Sequence, residues 1–193
     1  MNRNRGFSMV ELIIVIAIMA ILAAALAPAL LRYIHKAQKT YDLDTGSTIG
    51  KNTQLILAEG ESNSNSSTPG GTITHPYESF YADNTVTATC TTGGSSYTLV
   101  IVCDTQDNGK GNHSLEIHPA NSDAQAFASA LNTQLGSDFK VRNKNPDNTG
   151  TDMTTYIVGY SSTNINDIEV WIGPDGTTPT YMLFPTPDPI YQD

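Results

Sequence analysis

The sequence predicts an α+β fold, in which a long N-terminal α-helix precedes a C-terminal head built on an antiparallel β-sheet. Two observations predict it. The run from Leu12 to Leu31 contains no charged side chain, and a helical pattern continues beyond it. The rest of the 193-residue chain is rich in Thr, Asn and Gly and holds short β-branched and aromatic runs between turn signals. The predicted boundaries are a helix over 7–59 and a head over 60–193.

The first half of this helix is apolar enough to cross a membrane. At about 1.5 Å per residue, the run from Leu12 to Leu31 matches the roughly 30 Å hydrocarbon core of a bilayer. Residues 7–31 are therefore the predicted membrane-spanning part. Pro28 lies within it, where it removes one backbone hydrogen bond and clashes with the carbonyl of Ala24.

The second half of the helix is predicted to bury one face. Its less polar positions recur three and four residues apart, as one helix face requires. They are Ile34, Ala37, Tyr41, Thr48, Ile49, Asn52, Leu55 and Ile56. Gly46 and Gly50 leave a flat patch where a sheet or another helix approaches closely. The alternative is a break at Gly46, since each glycine costs about 1 kcal/mol relative to alanine. Glu59-Gly60 is the predicted end of the helix.

A single carboxylate, Glu11, interrupts the apolar run near its start. A charged side chain inside a membrane segment costs about 2.5–3.5 kcal/mol on insertion scales, so Glu11 requires a compensating reason. The residues before it form a short basic leader with Arg3 and Arg5. This leader ends in Gly6, and Phe7 follows.

This combination resembles the N-terminal segment of type IV prepilins. In that family a membrane peptidase cuts after the glycine and methylates the new N-terminal residue, usually phenylalanine. The glutamate five residues into the mature chain then guides helix stacking into a filament. The resemblance covers roughly residues 1–36. It assigns residues 1–6 to a removed leader, cleavage to Gly6 and Phe7, N-methylation to Phe7, and assembly to Glu11 and Pro28.

A secretory signal peptide and a plain membrane anchor are the competing interpretations. Ala25-Leu26-Ala27 offers a signal-peptidase-like site, but the apolar run exceeds the usual 7–15 residues and Pro28 would follow the cut. A plain anchor explains the run but not the occurrence of Gly6, Phe7 and Glu11 together and in order.

The head is predicted to consist of short strands and one helix. Strands are expected at 85–91, 97–103, 114–118, 139–142, 155–160, 165–172 and 181–184. Ser122 and Gln125 resemble a capping box that opens a helix through Leu135, and Gly136 ends it. The proline-rich tail cannot pair regularly and is expected to lie over the head surface.

Charge and motif content exclude several functions for the head. From residue 61 onward, fifteen Asp and Glu oppose four Lys and Arg, a net charge of −11 that repels phosphate backbones. We therefore expect no direct nucleic-acid binding. The sequence contains no nucleophile elbow and no Gly-rich phosphate loop, so we predict no enzyme activity, no metal and no cofactor. An oxygen-rich loop lacks the spacing of a calcium site, and calcium binding there is the minor alternative; it comprises Asp104, Asp107, Asn108 and Asn112.

Cys90 and Cys103 are the two cysteines, and an exported head permits a disulfide between them. A hairpin that turns over 93–96 places Cys103 opposite Val86, whereas a slightly later turn brings the two cysteines opposite each other. A Cys90–Cys103 disulfide is thus the prediction for the later turn. Many pilins close a loop near the C-terminus with two cysteines. This chain has none after Cys103, so another device must fix its tail.

The resemblance implies a structural subunit of a type IV pilus, polymerised into a surface filament for adhesion, motility or aggregation. The expected partners are other copies of the chain, prepilin peptidase, the inner-membrane assembly platform, and the membrane before assembly. The expected location is the cell membrane as a single-pass precursor, then an extracellular filament. The alternatives are a pseudopilin or minor pilin of a type II secretion or DNA-uptake machine, and a membrane-anchored extracellular binding domain.

Overall fold

The computed structural model describes residues 7–62, 86–107, 113–117, 125–136, 140–147 and 149–192. The chain divides into two compact units, Met1–Ala37 and Gln38–Asp193. Helix α1 runs from Met9 to Ser62, and strands and a second helix follow it. The predicted α+β class, with a long N-terminal helix and an antiparallel sheet, is confirmed.

All pairings in the sheet are antiparallel. Along the sheet the strands follow the order β1-β2-β4-β5-β6, and β3 also pairs with β2. The strands are β1 (Thr87–Thr92), β2 (Ser95–Asp107), β3 (His113–Ile117), β4 (Thr155–Ser161), β5 (Asn164–Gly173) and β6 (Tyr181–Phe184). Helix α2 (Gln125–Leu135) stands between β3 and β4 and ends at Gly136, whose φ of 80° suits glycine. The predicted cap Ser122 lies outside the described residues.

The sheet separates two hydrophobic cores, because successive side chains of a strand point to opposite faces. One core joins the sheet to the helices and includes Ile49, Ile56, Phe127, Leu131, Val102, Val158 and Val170. The other lies on the opposite face and consists of Cys90, Leu99, Ile101, Ile157, Trp171 and Met182. The first and last strands of the sheet path also contact each other, so the sheet is curled.

Within the second unit, α1 buries one face that is partly polar. The buried positions recur three or four residues apart and are Asp42, Gly46, Ile49, Gly50, Thr53, Ile56 and Leu57. The predicted face was right for Ile49 and Ile56 but wrong for Tyr41, Thr48 and Leu55, which are exposed. The difference arises because the polar side chains on this face form hydrogen bonds in the interior of the head, which makes their burial favourable. The Thr53 hydroxyl, for example, donates to the carbonyl of Ile49 at 2.8 Å.

The flat patch at Gly46 and Gly50 receives strand β6. A Cβ built on Gly46 would lie 2.6 Å from the Cβ of Leu183, and one on Gly50 would lie 2.6 Å from Cγ of Phe184. Carbon atoms in optimal contact are about 3.5–4.0 Å apart. The prediction that these glycines admit a sheet is confirmed, and α1 continues through Gly46 without a break.

The strand predicted over 139–142 is wrong for the residues that the structure describes, which are irregular. The backbone N–H groups of Arg142 and Asn143 each donate to the Asp42 carboxylate at 2.8 Å. The hydroxyl of Tyr156 donates to the same carboxylate at 3.0 Å. These N–H groups are therefore used to fasten α1 rather than to form a strand ladder. Burial raises the pKa of Asp42 above its ordinary value, although these hydrogen bonds and the charge of Arg142 oppose the shift.

The predicted Cys90–Cys103 disulfide is not formed, and both cysteines are buried free thiols. The hairpin turns at Gly93-Gly94, both with positive φ, as a two-residue hairpin turn requires. This turn is earlier than either alternative considered for the sequence. It pairs Cys90 with Tyr97, whereas Cys103 pairs with Val158. The two sulfur atoms consequently belong to different cores on opposite faces of the sheet.

Candidate processing and assembly segment

Glu11 lies in the first turn of α1, which begins at Met9. Its carboxylate oxygen Oε2 accepts a hydrogen bond from the backbone N–H of Ser8 at 2.9 Å. Ser8 precedes the helix and Glu11 follows it by three residues, which is the spacing of a capping box. The glutamate thereby satisfies a donor that the helix start leaves without an intrahelical partner. Sequence reasoning missed this bond, although Ser-x-x-Glu at a helix start is the signal for it.

The apolar run after Glu11 is exposed along its whole length. The large apolar side chains from Leu12 to Leu31 are between 44% and 70% exposed. Among the described residues, α1 is the one helix that is long and apolar enough to cross a membrane. An exposed apolar surface of this extent marks a site that lipid or another protein covers.

Pro28 lies inside α1, and the helix continues through it. Proline has no N–H to donate to the carbonyl four residues before it, here that of Ala24. It stands roughly 26 Å along the helix axis from Glu11, at about 1.5 Å per residue. The two predicted assembly residues therefore occupy different parts of the apolar segment.

Of the two residues at the predicted cleavage bond, Gly6 lies outside the described residues. Phe7 precedes the helix and its side chain is 87% exposed. Phe7, Ser8 and Glu11 thus occupy one short stretch at the helix start, where all three residues are exposed. Cys90 and Cys103 lie in the head and take no part in it.

The described part of the head offers no comparable cluster. It contains no group of three or more His, Cys, Asp and Glu side chains arranged to hold a metal ion. Asp104 is buried in β2, while Asn108 and Asn112 of the oxygen-rich loop lie outside the described residues. The buried Glu169 accepts a hydrogen bond from Nε1 of Trp171 at 2.9 Å. Burial raises its pKa above the ordinary value.

Residues 1–27 match the family model described as the prokaryotic N-terminal methylation motif. This motif is the prepilin-type signal of type IV pilins, so the resemblance seen in the sequence is confirmed for this segment. No solved structure matches the chain.

A prepilin-type signal, an exposed apolar helix and an antiparallel sheet in the head together define a pilin-like architecture. The type IV pilin class is structural rather than enzymatic. The motif implies processing by prepilin peptidase and pilus-type assembly, and it indicates a membrane-anchored precursor.

Proposed function

We propose that this chain is a structural subunit of a type IV pilus. Residues 1–6 are the leader, residues 7–31 are the membrane and filament-core segment, in which the long helix α1 (Met9–Ser62) begins, and the residues after α1 belong to the extracellular head. The observation that carries the proposal is the placement of Glu11, within the prepilin-type signal, in the first turn of an exposed apolar helix.

The physics of the apolar segment supports polymerisation. In the precursor the bilayer covers the run from Leu12 to Leu31, and after extraction the helices of neighbouring copies must cover it. Cleavage before Phe7 creates a cationic amine. A carboxylate accepts several hydrogen bonds, so Glu11 can keep its bond to Ser8 and also bind the Phe7 amine of an adjacent copy. An unpaired buried charge costs several kcal/mol, which disfavours copies that pack with slipped register.

The mass of the mature protein tests the processing step. Prepilin processing removes the six-residue leader and adds one methyl group at Phe7, whereas signal-peptidase cleavage or a plain anchor gives a different mass. Gly6→Leu places a bulky side chain at the cleavage position, so we expect uncut precursor in the membrane. A normally processed Gly6→Leu protein would contradict the proposal.

Glu11→Ala tests the assembly step separately from insertion. Removing a charge from an apolar run favours insertion, so the variant should reach the membrane and be processed but form few filaments. Val15→Ala, which trims the same helix without touching a charge, is the matched control. Filament counts at wild-type level in Glu11→Ala would rule out the proposed pairing with Phe7.

Pro28 is proposed to mark a segment that loses regular helical hydrogen bonds on assembly. The chain already lacks the bond to Ala24, and Ala23, Ala24 and Ala25 bury little surface. A filament map at side-chain resolution decides this point. A rise near 1.5 Å per residue throughout 20–28 contradicts it, and a longer rise supports it.

The alternative within the same class is a pseudopilin or a minor pilin of a secretion or DNA-uptake machine, whose subunits carry the same N-terminal signal. Filament abundance separates these roles, since a major subunit makes up most of the fibre. A membrane-anchored extracellular binding domain is the second alternative. It predicts an unprocessed or differently cut N-terminus, which the mass measurement distinguishes.

A further inference from the structure

The C-terminal tail of the head is firmly attached although it cannot form a regular strand. Three prolines fall within residues 185–189, yet the tail ends in a short 3-10 helix, Pro189–Tyr191. The Tyr191 side chain is 3% exposed and belongs to the core between sheet and helices. The backbone N–H of Asp188 donates to the carbonyl of Met182 at 2.8 Å, which folds the tail back along β6.

Two further bonds, one from Thr92 and one from Lys39, connect the tail to distant parts of the chain, and a third lies within the tail itself. The Thr92 hydroxyl, at the end of β1, donates to Oδ2 of Asp188, and both residues are buried. The other oxygen of Asp188 accepts from the N–H of Ile190 at 3.0 Å. The ammonium of Lys39 on α1 donates to the carbonyl of Ile190 at 2.6 Å. The tail is thus tied to β1, to β6 and to the helix.

These ties join the two ends of the sheet. β1 and β6 are the first and last strands of the sheet path, and among the described residues each of them pairs with one strand. A strand with an unpaired side is a template for pairing with another chain. The tail folds back along β6 and bonds to Thr92 at the end of β1, so the Thr92–Asp188 bond connects the two edge strands β1 and β6. These strands also contact each other in the curled sheet.

We propose that residues 185–192 form a noncovalent strap that closes the curled sheet and protects its two edges from pairing with other chains. Thr92, Asp188, Lys39 and Tyr191 fasten it. This inference concerns the head alone and holds whether or not the chain assembles into a pilus.

Hydrogen exchange on the full chain in detergent tests the strap, with Thr92→Val as the perturbation. Valine keeps the shape of threonine and removes the hydroxyl, so Oδ2 of Asp188 loses the donor that Thr92 supplies, while Oδ1 keeps its bond from Ile190. The matched control is Thr92→Ser, which keeps the hydroxyl and loses only a methyl group. In Thr92→Val we expect exchange to rise about tenfold or more, the factor that corresponds to a lost hydrogen bond to a charged group. The rise should occur together in β1 and at the amides of Ile190, Tyr191 and Gln192.

Coupling between the two regions is the decisive result. If exchange rises in β1 while the tail amides keep their protection, the Thr92–Asp188 bond does not hold the strap and the proposal fails. It fails equally if Thr92→Ser exchanges as fast as Thr92→Val. Should Thr92→Val not fold, the comparison of Lys39→Met with Lys39→Arg asks the same question at the other fastening point.

The Tyr191 side chain provides a second and independent test. Its hydroxyl is buried and has no hydrogen-bond partner within the part of the chain that the structure describes. Tyr191→Phe should therefore leave the tail protected, whereas Tyr191→Ala should release it. Sedimentation then measures edge pairing. Released variants should associate into larger species at concentrations where wild type and Tyr191→Phe do not, and a monodisperse Tyr191→Ala protein with an unprotected tail would overturn the protective role.

Discussion

Replacing Gly46 by alanine should destabilise the head, although the same change at an exposed helix position stabilises a protein. Alanine is favoured over glycine in a helix by about 1 kcal/mol. At Gly46, however, the added Cβ would lie 2.6 Å from Cβ of Leu183 and 2.9 Å from its Cδ1. A Cβ atom is fixed to its backbone, so relief requires β6 to move away from α1. Overpacking of this kind costs typically about 1–3 kcal/mol. The net expectation is a loss of up to about 2 kcal/mol.

Gly50 provides the internal comparison, because its obstacle is a ring rather than a backbone-linked atom. The added Cβ would meet Cδ1 of Phe184 and would lie 2.6 Å from its Cγ. Phe184 is half-buried, and a change of its χ1 rotamer would carry Cγ and the rest of the ring away. We therefore expect Gly50→Ala to cost less than Gly46→Ala. In a Phe184→Ala background the obstacle is gone, and Gly50→Ala should become stabilising by up to about 1 kcal/mol. The double-mutant cycle isolates this contact.

The assay is denaturant unfolding followed by the fluorescence of Trp171, the single tryptophan of the chain, which is fully buried. Thr48→Ala is the control at an exposed position of the same helix, and it should be neutral or stabilising by up to about 0.7 kcal/mol. A loss of about 1 kcal/mol corresponds to roughly 2–4 °C in Tm for a protein of this size. A Gly46→Ala protein more stable than wild type by about 1 kcal/mol, the gain expected at an open helix position, would refute the close packing of β6 on α1.

Three further predictions concern buried groups of the head. Asp42→Ala leaves the N–H groups of Arg142 and Asn143 and the Tyr156 hydroxyl without their acceptor, so unfolding should require about 3 kcal/mol less, and Asp42→Asn should lose less because it keeps an acceptor. Burial raises the pKa of Glu169, so the folded head binds its proton more tightly than the unfolded chain. Stability should therefore fall as pH rises from the ordinary glutamate pKa through the raised value. Glu169→Gln should make this slope shallower but not abolish it, because burial also raises the pKa of Asp42. Burial raises the pKa of Cys90 to about 12 and raises that of Cys103 further. Both thiols should therefore resist alkylation in the native state. On unfolding without reductant, each cysteine should take up one label, two in all. A single disulfide-linked species in non-reducing mass spectra would contradict the last of these.

The sequence predicted those parts of the structure that depend on local pattern. The apolar run, the long helix, and β5 and β6 follow from periodicity and turn signals, and the two glycines four residues apart indicated where the sheet meets α1. The buried face of α1 was not fully predictable. Asp42 and Thr53 are polar by sequence, and only the fold brings them the partners that make burial favourable. The same limit explains the strand wrongly predicted over 139–142.

The position of the β1–β2 turn determines whether Cys90 and Cys103 can form a disulfide. Cys90 pairs with Tyr97, six residues short of Cys103, so the turn would have to lie three residues later to bring the two cysteines opposite each other. Gly93 and Gly94 favour the earlier turn, because both adopt a positive φ. The sequence therefore contains the alternatives but not the energy that separates them. The absence of a covalent closure in turn makes the tail depend on the buried Tyr191 and the Thr92–Asp188 bond.

Helix α1 reverses the usual relation between residue type and burial, and this reversal indicates that its first half needs a covering partner. In its first half, leucine, isoleucine and valine side chains are exposed. In its second half, Asp42 and Thr53 are fully buried while Leu55 is half exposed. The second half can tolerate this because every polar group described on its buried face is hydrogen-bonded. The exposed apolar side chains of the first half cannot be stabilised by hydrogen bonds in this way, because apolar surface lowers its free energy only when it is removed from water. The stability of this half in any compartment therefore depends on a cover that the residues described by the structure do not supply, first lipid and then, as we propose, the same helix of other copies.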